Sequence, residues 1–131
     1  MHLTIQTCGT RHRDPKRIPN VDLLLDCRPF PNPHGLGHCN ETGLDPKVIS
    51  WLNINIASNV TASNRLSMLR RRIEKLKSSI QHDPTIVFFC IGGRHRSVYL
   101  AERLATELRS AGDTVVVQHL ELPNPTKEPK P

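Results

Sequence analysis

TIVFFCIGGRHRSVYLAERLATELRSAG, residues 85–112, decides how this chain is read. Its opening run, Thr85 to Cys90, is almost wholly apolar, which suits a strand buried on both faces. Leu100, Leu104, Leu108 and Ala111 then recur at helical spacing, and Gly112 supplies a left-handed stop. Between strand and helix stands CIGGRHRS, residues 90–97. Gly92 and Gly93 let the main chain approach a ligand closely. The start of a helix adds unsatisfied N–H groups and the positive end of a dipole. Together these predict an anion site, most naturally for a phosphate. Arg96 is expected to present a bidentate fork to the phosphate oxygens and His95 a further donor. Ser97 is expected to cap the helix or add a hydroxyl, and Arg94 to point outward. The competing reading is a tight turn whose arginines are only solvated.

Working outward, the remaining chain alternates strand and helix. HLTIQTC alternates apolar and polar residues and predicts a strand near 2–8; VDLLLDC predicts a second near 21–27. The loop between them, GTRHRDPKRIPN, is basic and broken by Gly9, Pro15 and Pro19. RPFPNPHGLGHCNETG, with three prolines and three glycines, excludes regular structure. Asp45 followed by Pro46 marks a helix start for PKVISWLN. Leu66, Leu69, Ile73, Leu76 and Ile80 draw one apolar stripe on a longer helix over 59–83, with Arg70, Arg71 and Arg72 mostly off it. TVVVQHL is a last strand, and the proline-rich end from residue 123 to 131 is expected to be a disordered tail. The pattern predicts a three-layer, Rossmann-like α/β domain over residues 1–122, with about four mostly parallel strands. In such sheets ligands sit beyond the carboxyl ends of the strands. Cys8, Cys27 and Cys90 each end a strand, so a parallel sheet would gather them at one rim.

Composition bounds the function. The chain has 131 residues, 37% hydrophobic and 23% charged, as expected of one soluble domain, and a net charge of +6 that favours anionic partners. It has no run long enough to span a bilayer and no signal-peptide pattern, so a cytoplasmic location is expected, with the cysteines as free thiols.

Two sharper readings compete. Cys90, five residues, Arg96 and Ser97 are similar to the signature of the protein tyrosine and dual-specificity phosphatases. That implies a Cys90 nucleophile with Arg96 gripping phosphate oxygens. The loop departs from that pattern in having histidine rather than glycine before Arg96, and only Asp26 offers itself as a general acid. The other resemblance covers more of the chain. Asp26, Arg28 and the PNPH of residues 31–34, then TGLD at 42–45, then GG-x-HRSVY-x-AE at 92–102 occur in this order. This resembles the C-terminal domain of the RNase adapter RapZ family, with Pro29-Phe30 in place of that family's phenylalanine-first order after Arg28. It implies a domain that binds glucosamine-6-phosphate without turning it over, needs no cofactor, and contacts small RNAs in the full-length protein. Carried over, the ligand residues are Asp26, Arg28, His34, Cys90, Gly92, Gly93, His95 and Arg96. Asp26 is suited to an amine or sugar hydroxyls, or alternatively to an ion pair with Arg28 or Arg96. The chain holds no G-x-x-x-x-G-K-[ST] phosphate loop, so the expectation is a stand-alone domain or a fragment.

For RNA, the candidate contacts are Arg11, Arg13, Lys16 and Arg17 in the first loop and Arg70, Arg71 and Arg72 on the long helix. The plainer account of both clusters is a solvated face. Other expected partners are a protein or a second copy of the chain, and no membrane. His34, His38 and Cys39 lie close together in sequence, and a rim that gathers Cys8, Cys27 and Cys90 would add thiols nearby, which raises a zinc site, but no recognised ligand spacing supports it, and no metal is assigned.

Overall fold

The computed structural model describes residues 1–33 and 41–123. Four strands, β1 (His2–Gly9), β2 (Leu23–Asp26), β3 (Thr85–Cys90) and β4 (Thr114–His119), form one sheet in the order β2-β3-β1-β4. Every pairing is parallel. Among the described residues three α-helices accompany it: α1 (Pro46–Ala57), α2 (Val60–Ser79) and α3 (Arg96–Ser110). The Rossmann-like α/β class expected from the alternation is therefore the observed one. His34, His38 and Cys39, and the tail beyond residue 123, lie outside the described residues.

Strand register decides which side chains share a face. Leu3 stands opposite Val115, Ile5 opposite Ile86, and Leu25 opposite Phe88. These side chains merge with Val48 and Leu52 of α1, Ile73 of α2, and Leu100 and Leu104 of α3 in one buried cluster. All three helices thus pack on one face. The topology explains this. The steps from β2 to β3 and from β3 to β4 run the same way across the sheet, whereas the step from β1 to β2 runs the other way. Right-handed crossovers then put α1, α2 and α3 on one side and the 10–22 connection on the other. That outer layer is thin, with a single 3-10 turn at Pro15–Arg17 capped by the Asp14 side chain. Cys8 and Val87 on that face are fully buried, whereas Val116 toward the β4 edge is 53% exposed. The unbroken apolar run of β3 is accounted for, since Ile86, Val87 and Phe88 are all fully buried.

Helix boundaries follow local chemistry. The Asn59 side chain accepts from the Ala62 amide and starts α2, separating it from α1 at Ser58. Asp45 stands at the N-cap of α1 before Pro46, but its carboxylate turns back to the Thr42 amide at 2.6 Å. It closes the TGLD turn rather than capping the helix. Gly112 adopts a φ of 102°, the left-handed stop expected after α3. Ala111, expected on the buried stripe, is the exposed C-cap instead.

At the rim, His119 joins three elements. One ring nitrogen lies 2.8 Å from the Thr7 hydroxyl on β1 and the other 2.7 Å from Glu102 on α3. The hydrogen bond from His119 holds the Glu102 carboxyl below its ordinary range, against the upward pull of burial. A depressed carboxyl stabilises the fold above its unfolded pKa, about 4.3, and that stability is lost as pH falls through the folded value. Glu102→Gln is therefore expected to cost about 1 kcal/mol at neutral pH, discounted for partial exposure. It should also flatten the acid limb below about pH 4.3, as checked by urea unfolding across pH.

Candidate functional site

The carboxyl ends of β1, β2 and β3 meet at one rim. Gly9 pairs with Cys90, Cys8 with Phe89, and the Cys27 amide donates to the Phe89 carbonyl at 2.7 Å. Cys8, Cys27 and Cys90 are free thiols and do gather there. Burial, with help from Glu121, pushes the Cys8 thiol up to about 11, and burial raises Cys27 well above its ordinary value. Among the described residues no trio of histidine, cysteine or carboxylate side chains is placed to hold a metal ion.

The two glycines of the motif do different work. Gly93 is buried, has a φ of 71°, and lies against β1: a Cβ there would come within 2.6 Å of the Gly9 nitrogen and 2.7 Å of the Cys8 carbonyl carbon. Gly92 faces open space, with nothing within 4 Å of an added Cβ. Gly93 is the packing glycine and Gly92 the one that leaves open space. A third, Gly43 of the TGLD turn, docks on the first turn of α3. Its amide donates to the Arg94 carbonyl at 2.8 Å, and a Cβ would lie 2.5 Å from the Tyr99 nitrogen.

Inside the turn, the Gly93 amide donates to Cys90 Sγ at 3.3 Å, and Cys90 Sγ lies 3.2 Å from Ser97 Oγ. Ser97 is fully buried within the first turn of α3, and the cap position belongs to His95. Arg96 is 7% exposed. Its Nη1 donates to the Arg28 carbonyl at 2.6 Å and the Phe30 carbonyl at 3.4 Å. These bonds tie the loop after β2 to the start of α3. The guanidinium is held in place by these two carbonyls.

Above this turn lies a cavity of about 190 Å³. Cys90 and Gly92 form part of its wall, and Arg94, His95 and Arg96 bring charge or donors to it. Arg94, expected to point outward, lines it. Arg11 and Asn32 complete the lining. The amide of Arg11, a candidate RNA contact by sequence, donates to the Ile91 carbonyl at 3.0 Å, which brings the first loop over the motif. Nothing local in the sequence links residue 11 to residue 92, because their proximity follows from β1 lying beside β3. Asn32 falls inside the PNPH segment, the signal that pointed to that loop.

Asp26 and Arg28 lie at the rim but bind each other. Arg28 Nε and Nη2 donate to the two Asp26 oxygens at 2.9 and 2.8 Å, and the guanidinium lies 5.3 Å above the Phe89 ring. The hydrogen bonds from Arg28 depress the Asp26 carboxyl, opposed by burial. The ion-pair alternative for Asp26 is thus the one seen. The other basic residues divide. Arg13 pairs with Glu121 and Arg70 with Glu74 and Glu107, while Lys16 and Arg72 line one cavity beside β2. Arg17 lies 4.0 Å from Asp14, and Arg71 is exposed. No helix among the described residues is long and apolar enough to cross a membrane.

A family model described as the RapZ C-terminal domain matches residues 1–123. A nucleotide-binding protein of Methylococcus capsulatus is 33% identical over 129 residues, 98% of this chain and 43% of the relative. One from Laribacter hongkongensis is 34% identical over 123 residues, 93% of this chain and 43% of the relative. A third, from Rhodospirillum rubrum, is 38% identical over 124 residues, 90% of this chain and 36% of the relative. The chain spans less than half the length of these curated relatives.

Proposed function

Because the chain belongs to the RapZ C-terminal domain family, we propose that its rim cavity binds and senses a phosphorylated small molecule, glucosamine-6-phosphate being the first candidate. The observation that carries this is the cavity's charge. Arg11, Arg94 and Arg96 surround the Gly92 main chain and the start of α3, and no carboxylate belongs to the described lining. Cationic forks and main-chain donors around a small concavity suit a phosphate dianion. Arg96, already held by two carbonyls, loses little freedom on binding, which favours affinity. The nucleotide-binding names of the relatives fit a phosphate-bearing ligand. An amine on the sugar would reach Asp26 only in competition with Arg28, so its contribution is the difference between glucosamine-6-phosphate and glucose-6-phosphate.

One observation favours a second reading. Cys90 lines the cavity, and its Sγ accepts from the Gly93 amide and donates to Ser97 Oγ, so the sulfur stands where a nucleophile would. Turnover needs a proton donor for the leaving group as well, and Asp26 is engaged by Arg28. Binding without chemistry is therefore the better reading. Contact with RNA, if the domain makes it, would use Lys16 and Arg72, which face one cavity. Its affinity would fall steeply with added salt.

Thermal unfolding with glucosamine-6-phosphate, glucose-6-phosphate and glucosamine tests the reading. At a hundred times Kd, a ligand adds about 2.7 kcal/mol. The two phosphates should raise Tm and free glucosamine should not, and Arg94→Ala should reduce the shift. No shift with either sugar phosphate would overturn the proposal. Hydrolysis of p-nitrophenyl phosphate that vanishes in Cys90→Ser would replace it with the phosphatase reading.

A further inference from the structure

The residues just after β4 reach back onto the site. The Leu120 amide donates to the Thr7 carbonyl at 3.0 Å, which extends the β1–β4 ladder and delivers Glu121 above Gly9. The Glu121 side chain is 8% exposed. Its Oε2 accepts from the Gly9 amide at 3.2 Å and from Arg13 Nε at 2.8 Å, and its Oε1 accepts from Arg13 Nη2 at 3.2 Å. A Cβ on Gly93 would fall 2.6 Å from Glu121 Cγ, so the same side chain rests on the packing glycine of the motif. Arg13 stands two residues after Arg11, which lines the cavity.

From this we infer that Glu121 and Arg13 form a clamp that positions the anion site without touching the ligand. The inference rests on the reading of the rim as a phosphate site. Glu121 pins the end of β1 under Gly93, and through Arg13 it sets the path of the loop that carries Arg11. A carboxylate behind an anion site would repel the ligand if it stood alone. Arg13 cancels that charge while fixing the geometry. The clamp therefore has two separable parts, a shape that both partners hold and a charge balance that only the pair maintains.

The test uses Glu121→Gln, Arg13→Gln and the double variant in the full chain. Hydrogen exchange without ligand reads the shape. The amides of residues 9–13 and of Gly93 should exchange about tenfold faster in each single variant, while Ile5 and Ile86 keep their protection. Unchanged exchange at those amides, or an equal loss across the whole sheet, would overturn the clamp. Affinity for inorganic phosphate and for glucosamine-6-phosphate reads the charge. Arg13→Gln, which leaves the carboxylate bare, should weaken binding about tenfold and more than Glu121→Gln does. The double variant should recover part of that loss, a non-additivity expected of a directly coupled pair. Strictly additive losses would refute the charge-balancing role. If the wild-type chain binds neither probe, the phosphate reading of the rim fails, and the exchange measurement still decides whether the clamp shapes the turn.

Discussion

Gly93→Ala is expected to destabilise the domain by about 3 kcal/mol, whereas Gly92→Ala, one residue away, should cost no more than about 0.5 kcal/mol. The difference comes from geometry. At Gly93 the main chain is left-handed, and a methyl group would press on the Gly9 nitrogen and the Cys8 carbonyl carbon, both part of the β1 backbone. A central strand paired on both sides cannot move away from that contact. A residue other than glycine in the left-handed region costs about 1 kcal/mol before any clash is counted. At Gly92 there is open space. Thermal unfolding should therefore show a drop of roughly 10 °C for Gly93→Ala and little change for Gly92→Ala. Gly92→Ala should instead weaken sugar-phosphate binding, because its methyl group enters the space left for the ligand. Equal Tm values for the two variants would mean that the 90–97 turn does not pack on β1 as described.

Arg96→Ala carries the second large effect, and it should appear in both stability and binding. The guanidinium is nearly buried and donates to the Arg28 and Phe30 carbonyls. Its removal leaves two acceptors unpaired and frees the loop after β2. Breaking hydrogen bonds to a buried cation costs about 3 kcal/mol. The same change removes a positive fork from the cavity, so sugar-phosphate affinity should fall by more than about tenfold. Arg96→Lys should retain part of the stability and less of the binding, since an ammonium is a point charge without the planar fork. Urea unfolding and calorimetric titration of the two variants check this. Arg96→Ala with wild-type stability would contradict the anchoring role assigned to this side chain.

Much of this arrangement could be read from the chain itself. The run from Thr85 to Cys90 has the limits of β3, and the leucines of α3 and the stop at Gly112 follow from spacing and backbone preference. Cys8, Cys27 and Cys90 meet at one rim because parallel strands must end on the same side. Strand order was not legible, because β1 lies between β3 and β4 although far from both in sequence. That order puts Arg11 over Gly92 and Glu121 over Gly9, contacts between segments far apart in sequence that no local pattern signals. The different tasks of Gly92 and Gly93 were also hidden, since both are glycines at a turn and only the approach of β1 separates them. Asp26 shows a further limit. Its strand-end position allowed either a ligand contact or an ion pair, and the nearest cation in the chain, Arg28, took it.

The most direct measurement is a titration of the isotopically labelled chain with glucosamine-6-phosphate, followed amide by amide in nitrogen–proton correlation spectra. The account predicts saturable shifts concentrated at residues 91–97 and at Arg11, with the amides of α2 unmoved. Shifts confined to the exposed basic residues of α2, or no saturable shift at residues 91–97, would contradict it.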